Sequence, residues 1–231
     1  MKFVPRLVIP DKGNRFYIAK TEGGLNPGIP RPKGSTLQFQ NCVFYALGRF
    51  AELWGVWMKS TDAENFCKVA KDMGLNVSQK PALGSIACWA KGKVGVNSDG
   101  AGHVAVVEII NDSGSIVTSE SGWNAKKEFW TTTRLDDGNW GKSGEYHFLG
   151  FILPPGAVPV PSSTIRKGDR GEDVIWLQTQ LAGLGYLRNT EIDGHFGKIT
   201  LGGLLAFQFE NSLTVDGVCG AKTKAALLKT E

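Results

Sequence analysis

Three things missing from this 231-residue chain narrow its reading before any motif is considered. No stretch approaches the ~18 consecutive apolar residues of a membrane-spanning helix. The first sixteen residues carry Lys2, Arg6, Asp11, Lys12, Arg15 and two prolines, and hold no apolar run of signal-peptide length. A soluble protein made in the cytoplasm, without membrane insertion, is expected. The four cysteines, at 42, 67, 88 and 219, form no C-x-x-C pair and no cluster with the three histidines. A zinc site is therefore not expected, and without an export signal neither is a disulfide framework. Charge blocks are absent too: 26 Lys and Arg against 22 Asp and Glu are scattered to a net +4. That pattern gives nucleic-acid binding little support and leaves only a weak pull toward an anionic polymer.

What remains is the composition of a folded protein, 42% hydrophobic and 21% charged. The length suits two ordinary domains, and Leu153-Pro154-Pro155-Gly156-Ala157-Val158-Pro159-Val160-Pro161 reads as an extended, semi-rigid linker. Three parts are expected: residues 1–153, a linker over 154–163, and a second domain over 164–231.

Within the first part, Gly23-Gly24, Asn26-Pro27-Gly28, Pro30, Pro32 and Gly34 mark a long loop over residues 1–40. An amphipathic helix follows, with Val43, Ala46, Leu47, Phe50 and Trp54 on one side and Cys42 in the first turn. Thr61 and Glu64 have the spacing of a capping box, opening a helix that turns Phe66, Val69, Ala70 and Met73 inward and stops at Gly74. Short β-branched or apolar runs then predict strands at Ile86–Trp89, His103–Ile110, Ile116–Glu120, Thr131–Leu135 and Tyr146–Leu153, with a hairpin turn at Asn111-Asp112-Ser113-Gly114. Helices followed by an antiparallel sheet make an α+β domain. Cys67 and Cys88 read as core thiols. The aromatics of the 122–144 loop, Trp123, Phe129, Trp130 and Trp140, either line a groove or pack on the sheet.

The second domain repeats a frame: Asp193-Gly194-His195-Phe196-Gly197-Lys198-Ile199-Thr200 returns as Asp216-Gly217-Val218-Cys219-Gly220-Ala221-Lys222-Thr223, 23 residues on. Each copy reads as a tight turn leading into a helix. Val174, Leu177, Leu181 and Leu184, then Leu204, Leu205, Phe207 and Phe209, give the apolar faces of a small bundle of three helices.

Cys42 has two readings, a core thiol or a nucleophile. A helix start favours thiolate over thiol, but hydrolysis also needs a base and a group that orients it. His195 lies beyond the linker, whereas His103 opens an apolar strand and His147 begins a late one. Across the hairpin, Glu120 falls near Ala105, within side-chain reach of His103. The carboxylate would fix the imidazole tautomer and stabilise the imidazolium.

Asn41-Cys42, Pro81-Ala82-Leu83-Gly84-Ser85-Ile86 leading to Trp89, Gly102-His103-Val104-Ala105-Val106-Val107-Glu108 and Glu120 together resemble a CHAP domain, the cysteine- and histidine-dependent amidohydrolase/peptidase, over roughly residues 15–153. With Gly23-Gly24-Leu25-Asn26 ahead of the cysteine, the likeness is to CHAP domains of phage endolysins. It implies a papain-like fold and cleavage of peptidoglycan, at the muramoyl–L-alanine amide or within the peptides. Cys42 would be the nucleophile, His103 the general base and Glu120 its orienting acid, with backbone N–H groups at the helix start and Gln40 for the oxyanion. Such an enzyme is made in the host cytoplasm and acts on the wall after release. An NlpC/P60-type endopeptidase, or a non-catalytic wall-binding or virion protein, is the alternative. Some CHAP domains carry a polar residue two positions after the acid, where this chain has Gly122. Others bind calcium through aspartates before the cysteine, where residues 12–41 offer only Glu22 as an acid, so no cofactor is expected. Residues 164–230 resemble a three-helix peptidoglycan-binding domain of the PG_binding_1 type, on Arg166-Lys167-Gly168-Asp169, Leu177-Gln178, Leu184-Gly185-Tyr186-Leu187, Phe207-Gln208 and the two turns.

Overall fold

The computed structural model describes residues 3–28, 41–92, 102–111, 113–122, 127–157 and 160–228. Gln40, Trp123, Asp112, Val158 and Pro159, all named above, lie outside the described residues, as do Lys2, Pro30, Pro32 and Gly34. The chain forms two compact units, Met1–Gly156 and Ala157–Glu231. Among the described residues no helix is long and apolar enough to cross a membrane.

In the first unit, helices α1 (Cys42–Trp54) and α2 (Phe66–Asp72) precede six strands, β1 (Val77–Ser78), β2 (Ile86–Lys91), β3 (His103–Ile110), β4 (Ile116–Glu120), β5 (Trp130–Arg134) and β6 (Tyr146–Ile152). The strands make one antiparallel sheet in the order β1-β6-β2-β3-β4-β5. Helix α1 lies against β3 and β4. Its Tyr45, Ala46, Leu47 and Phe50 join Ile86, Val104, Val106 and Ile152 in the core. Burying a side chain such as Phe50 or Leu47 contributes roughly 1.5–3 kcal/mol. Five strands start and stop within a residue or two of their apolar runs. Two-residue β1 is too short to show a period and was not expected.

The β3–β4 hairpin pairs Val106 with Ser119 and Val107 with Thr118, then shifts register before Ile109 pairs with Val117. This bulge absorbs one residue near the turn and leaves the distal register that sets Glu120 beside the start of β3. Position 102 requires glycine. Its φ is +44°, and a Cβ there would stand 2.5 Å from the Trp89 carbonyl oxygen and 2.9 Å from the Glu64 nitrogen.

Three expectations are corrected. Thr61 does not cap a helix: a 3₁₀ turn over Ala63–Asn65 comes first, preceded by Asp62 without a side-chain cap. Buried Ala63, packed close to Gly102, sets this tighter entry. Met73 is 44% exposed because α2 ends at Asp72, and Leu75 enters the core instead. Leu184 and Phe209, expected inside the second unit, are 48% and 74% exposed. The compact units part between Gly156 and Ala157, inside the expected 154–163 segment, and the Lys224 ammonium in the second unit donates to the carbonyls of Pro161 and Ser163.

The second unit contains α3 (Glu172–Gly183), α4 (Lys198–Glu210) and α5 (Ala221–Leu227) around Val174, Trp176, Leu177, Leu181, Phe196, Leu204 and Phe207. Two buried glutamines explain the repeat. Gln178 Nε2 donates to Asp193 Oδ1 at 2.8 Å and Thr200 Oγ1 at 2.9 Å, while its Oε1 accepts the amides of Asp193 and Gly194. Gln208 likewise joins Asp216 Oδ1, Thr223 Oγ1 and the Gly217 amide. Each D-G-x-x-G-x-x-T turn is thus bolted to the helix before it. Turning Gln208 inward directs its neighbour Phe209 outward.

Candidate active site

The site begins where irregular chain becomes α1. Asn41 has extended backbone (φ −168°, ψ −179°), and its side chain accepts the Phe44 amide at 2.9 Å. This N-cap places Cys42 as the first helical residue, at the positive end of the helix. Asn26 ties the preceding loop to the same helix, donating to the carbonyls of Phe16 and Phe44 at 2.9 and 3.0 Å.

Cys42 and His103 come together, close enough for each to shift the proton affinity of the other. Both are nearly buried, with 8% and 6% of their surfaces exposed. His103 Nε2 is 2.8 Å from Glu120 Oε2, which leaves Nδ1 as the ring nitrogen for the sulfur. The three residues named from sequence are brought into one cluster, with Cys42 and Glu120 both acting on His103. His147 stands apart, exposed on β6 and paired with Ala90, and His195 belongs to the other unit.

Two participants were not anticipated. Arg134 NH2 donates to Glu120 Oε1 at 2.6 Å, its Nε to Thr118 Oγ1 at 3.1 Å and its NH1 to the Trp140 carbonyl at 2.9 Å. Its guanidinium also lies 4.8 Å from the centre of the Trp89 ring. Thr118 completes the set, donating to Glu120 Oε1 at 2.7 Å. The register pairs Ile116 with Arg134 and Glu120 with Trp130. Alternation then puts Thr118, Glu120 and Arg134 on one face, and the long arginine arm runs diagonally along it. The available signal was a lone charge at the end of Trp130-Thr131-Thr132-Thr133-Arg134. The aromatics of the same region mostly pack: Trp140 is 2% exposed against Phe148 and Phe151, and Phe129 meets Tyr45 edge-on.

The electrostatics follow from these contacts. Burial pushes the Cys42 thiol up, but the His103 hydrogen bond and charge, with backbone hydrogen bonds from Val104 and Val43, outweigh it and hold the thiol below its ordinary value. Burial pushes His103 down, but hydrogen bonds to Cys42 and Glu120 leave it raised. Glu120 is buried as well, and His103, Arg134 and Thr118 still hold its carboxyl well below the usual carboxylate range. All three directions favour a thiolate–imidazolium pair beside an ionised carboxylate. A second buried carboxylate, Glu108, is taken up by Arg49 at 2.9 and 3.0 Å, Ser119 at 2.7 Å and the Arg6 amide at 2.8 Å. It braces α1 against β3 without touching the thiol. Among the described residues no group of three or more His, Cys, Asp or Glu side chains gathers as a metal site.

Comparison with known proteins agrees with this two-unit layout. Residues 32–122 match the CHAP domain family, and residues 170–227 match PG_binding_1, a peptidoglycan binding domain. The chain is 44% identical over 88 residues to the spore cortex-lytic enzyme of Bacillus cereus, covering 36% of this chain and 34% of that protein. It is 42% identical over 57 residues to the N-acetylmuramoyl-L-alanine amidase CwlM of Mycobacterium tuberculosis, covering 25% and 14%. A crystal structure of an N-acetylmuramoyl-L-alanine amidase from Staphylococcus aureus aligns with 26% identity and a TM-score of 0.35, covering 47% of this chain and 30% of that one. The chain thus spans about a third or less of these relatives. The protein carries a CHAP domain at residues 32–122 followed by a peptidoglycan binding domain of the PG_binding_1 family at residues 170–227.

Proposed function

We propose that the protein is a peptidoglycan hydrolase that cleaves an amide bond of the bacterial cell wall through a Cys42 thiolate. The bond is either the N-acetylmuramoyl–L-alanine amide or one within the wall peptides. The single observation carrying this reading is the relay Cys42–His103–Glu120, closed by a 2.8 Å hydrogen bond. In this reading His103 takes the thiol proton, and the sulfur adds to the amide carbonyl. Amides in the first turn of α1 receive the developing oxyanion. The tetrahedral intermediate expels the amine as His103 returns the proton, leaving a thioester. Water, deprotonated by His103, then releases the carboxylic acid and restores the thiol. Glu120 keeps Nε2 protonated and offsets the imidazolium charge, and Arg134 and Thr118 keep Glu120 ionised and fixed.

The second unit supplies the anchor in this account. Holding the catalytic unit to the wall raises the effective substrate concentration without adding a catalytic contact. A phage-lysin role, in which the enzyme reaches the wall after release from the cell that made it, is part of the proposal. An NlpC/P60-type relay using His147 as the third residue is disfavoured by that residue's exposure and by Glu120 on His103 Nε2. The test is mass spectrometry of fragments released from purified cell walls by wild-type protein and by Cys42→Ala. Wild type should release fragments whose new termini identify one amide bond, and Cys42→Ala none. Equal release by the two proteins would refute the reading.

A further inference from the structure

We propose that Lys142 forms an anion subsite beside the Cys42–His103 pair and binds a free carboxylate of the peptide on the residue next to the scissile amide. This rests on the peptidoglycan reading above and adds to it a substrate feature that no catalytic residue reads.

The loop between β5 and β6 is held against β2. Trp89 Nε1 donates to the Asn139 carbonyl at 2.8 Å, and Asn139 Nδ2 donates to the carbonyls of Lys142 and Tyr146 at 2.5 and 2.8 Å. Asp137 accepts the amides of Asn139 and Gly141 at 2.8 and 3.1 Å. The backbone of Lys142 is thereby fixed before any ligand arrives. Its ammonium lies 4.6 Å from the centre of the Tyr146 ring and 5.9 Å from that of Trp89. The His103 ring is also 5.9 Å from the Trp89 ring, so the ammonium and the imidazole share one indole as a neighbour.

Among the described residues this half-buried cation has no carboxylate counter-ion. Glu120, whose charge it feels, is already taken up by His103, Arg134 and Thr118. Among the described residues, thiolate with imidazolium and Glu120 with Arg134 are each neutral, and Lys142 adds one positive charge to them. Burial holds its ammonium below the ordinary lysine value, and Arg134 adds to that against the opposite pull of Glu120 and Cys42. A substrate carboxylate would supply that partner, with the Trp89 and Tyr146 rings holding the lysine stem.

The experiment uses the Cys42→Ala protein, so that binding is read without turnover. Two probes are titrated by calorimetry: an N-acetylmuramoyl peptide with a free carboxylate next to the scissile amide, and the same peptide as its carboxamide. The acid should bind about tenfold tighter than the amide, as one charge-assisted hydrogen bond implies. Adding Lys142→Met should erase that preference while leaving amide binding intact, and Lys142→Arg should keep it. Equal affinity for the two probes, or a preference that survives Lys142→Met, overturns the subsite alone. Failure to bind either probe overturns the peptidoglycan reading together with the subsite.

Discussion

Replacing Arg134 by Met asks whether the base of the relay is held by charge or merely by packing. Methionine retains much of the arginine stem but removes three hydrogen bonds, to Glu120, Thr118 and the Trp140 carbonyl, and the cation over Trp89. Glu120 is 1% exposed, so its carboxylate would lose a counter-ion where water cannot replace it. Breaking a buried pair by removing one partner costs roughly 3–5 kcal/mol. The carboxyl would also rise toward neutrality and withdraw support from the imidazolium, lowering kcat on the order of tenfold to a hundredfold. Urea unfolding of the full chain, followed by tryptophan fluorescence, gives the stability change, and dye release from labelled cell walls gives the rate. The double variant Glu120→Gln, Arg134→Met should be more stable than the sum of the single losses implies, because neither charge is stranded. An Arg134→Met protein within about 1 kcal/mol of wild type, with the two losses additive, would refute the reasoning.

Three other outcomes follow from the same geometry. Glu120→Gln should move the alkaline limb of the pH–rate profile to lower pH, because the hydrogen bond that raises His103 is lost; an unmoved limb would remove Glu120 from the relay. Glu120 is depressed in the folded state, so its stabilisation is present above the ordinary carboxylate range and lost as pH falls through the folded value. Urea unfolding should show wild type losing stability below about pH 4, with Glu120→Gln showing a flatter acid limb. Gln178→Met should strand the buried amide of Gly194 and leave that of Asp193 without its partner; calorimetry should then show the second unit losing about 1–3 kcal/mol while the first keeps its melting temperature.

How far the chain could be read in advance depends on the kind of contact. Strands β3 and β4 carry their own period, and the turn between them constrains their pairing, so Glu120 could be set against His103 from residue numbers alone. The bulge near Ile109 left that estimate intact because it lies at the turn end of the hairpin. Arg134 escaped for the opposite reason. It approaches Glu120 diagonally from a third strand, a contact set by sheet order, which no local spacing encodes. Phe209 and Leu184 were misjudged because hydropathy alone assigned their faces, whereas the buried amide of Gln208 rotates α4 and Leu184 falls beyond the end of α3. The two D-G-x-x-G-x-x-T turns were visible as a repeat. Their glutamine bolts were not, since a lone polar residue in an apolar face reads as surface until its partners are placed.

The central claim, that the Cys42 sulfur is the group that attacks the wall, is tested most directly by alkylating the wild-type protein with limiting iodoacetamide near neutral pH. Each cysteine is mapped by mass spectrometry while lysis is followed in parallel. Cys88 and Cys219 should stay unmodified, since burial raises both thiols, Cys219 to about 12. Cys67, which a hydrogen bond from Cys88 lowers, competes for reagent without any effect on activity. The account requires wall lysis to fall in step with the fraction of Cys42 alkylated, whatever happens at Cys67. Full lysis by a protein whose Cys42 is completely carbamidomethylated would contradict it.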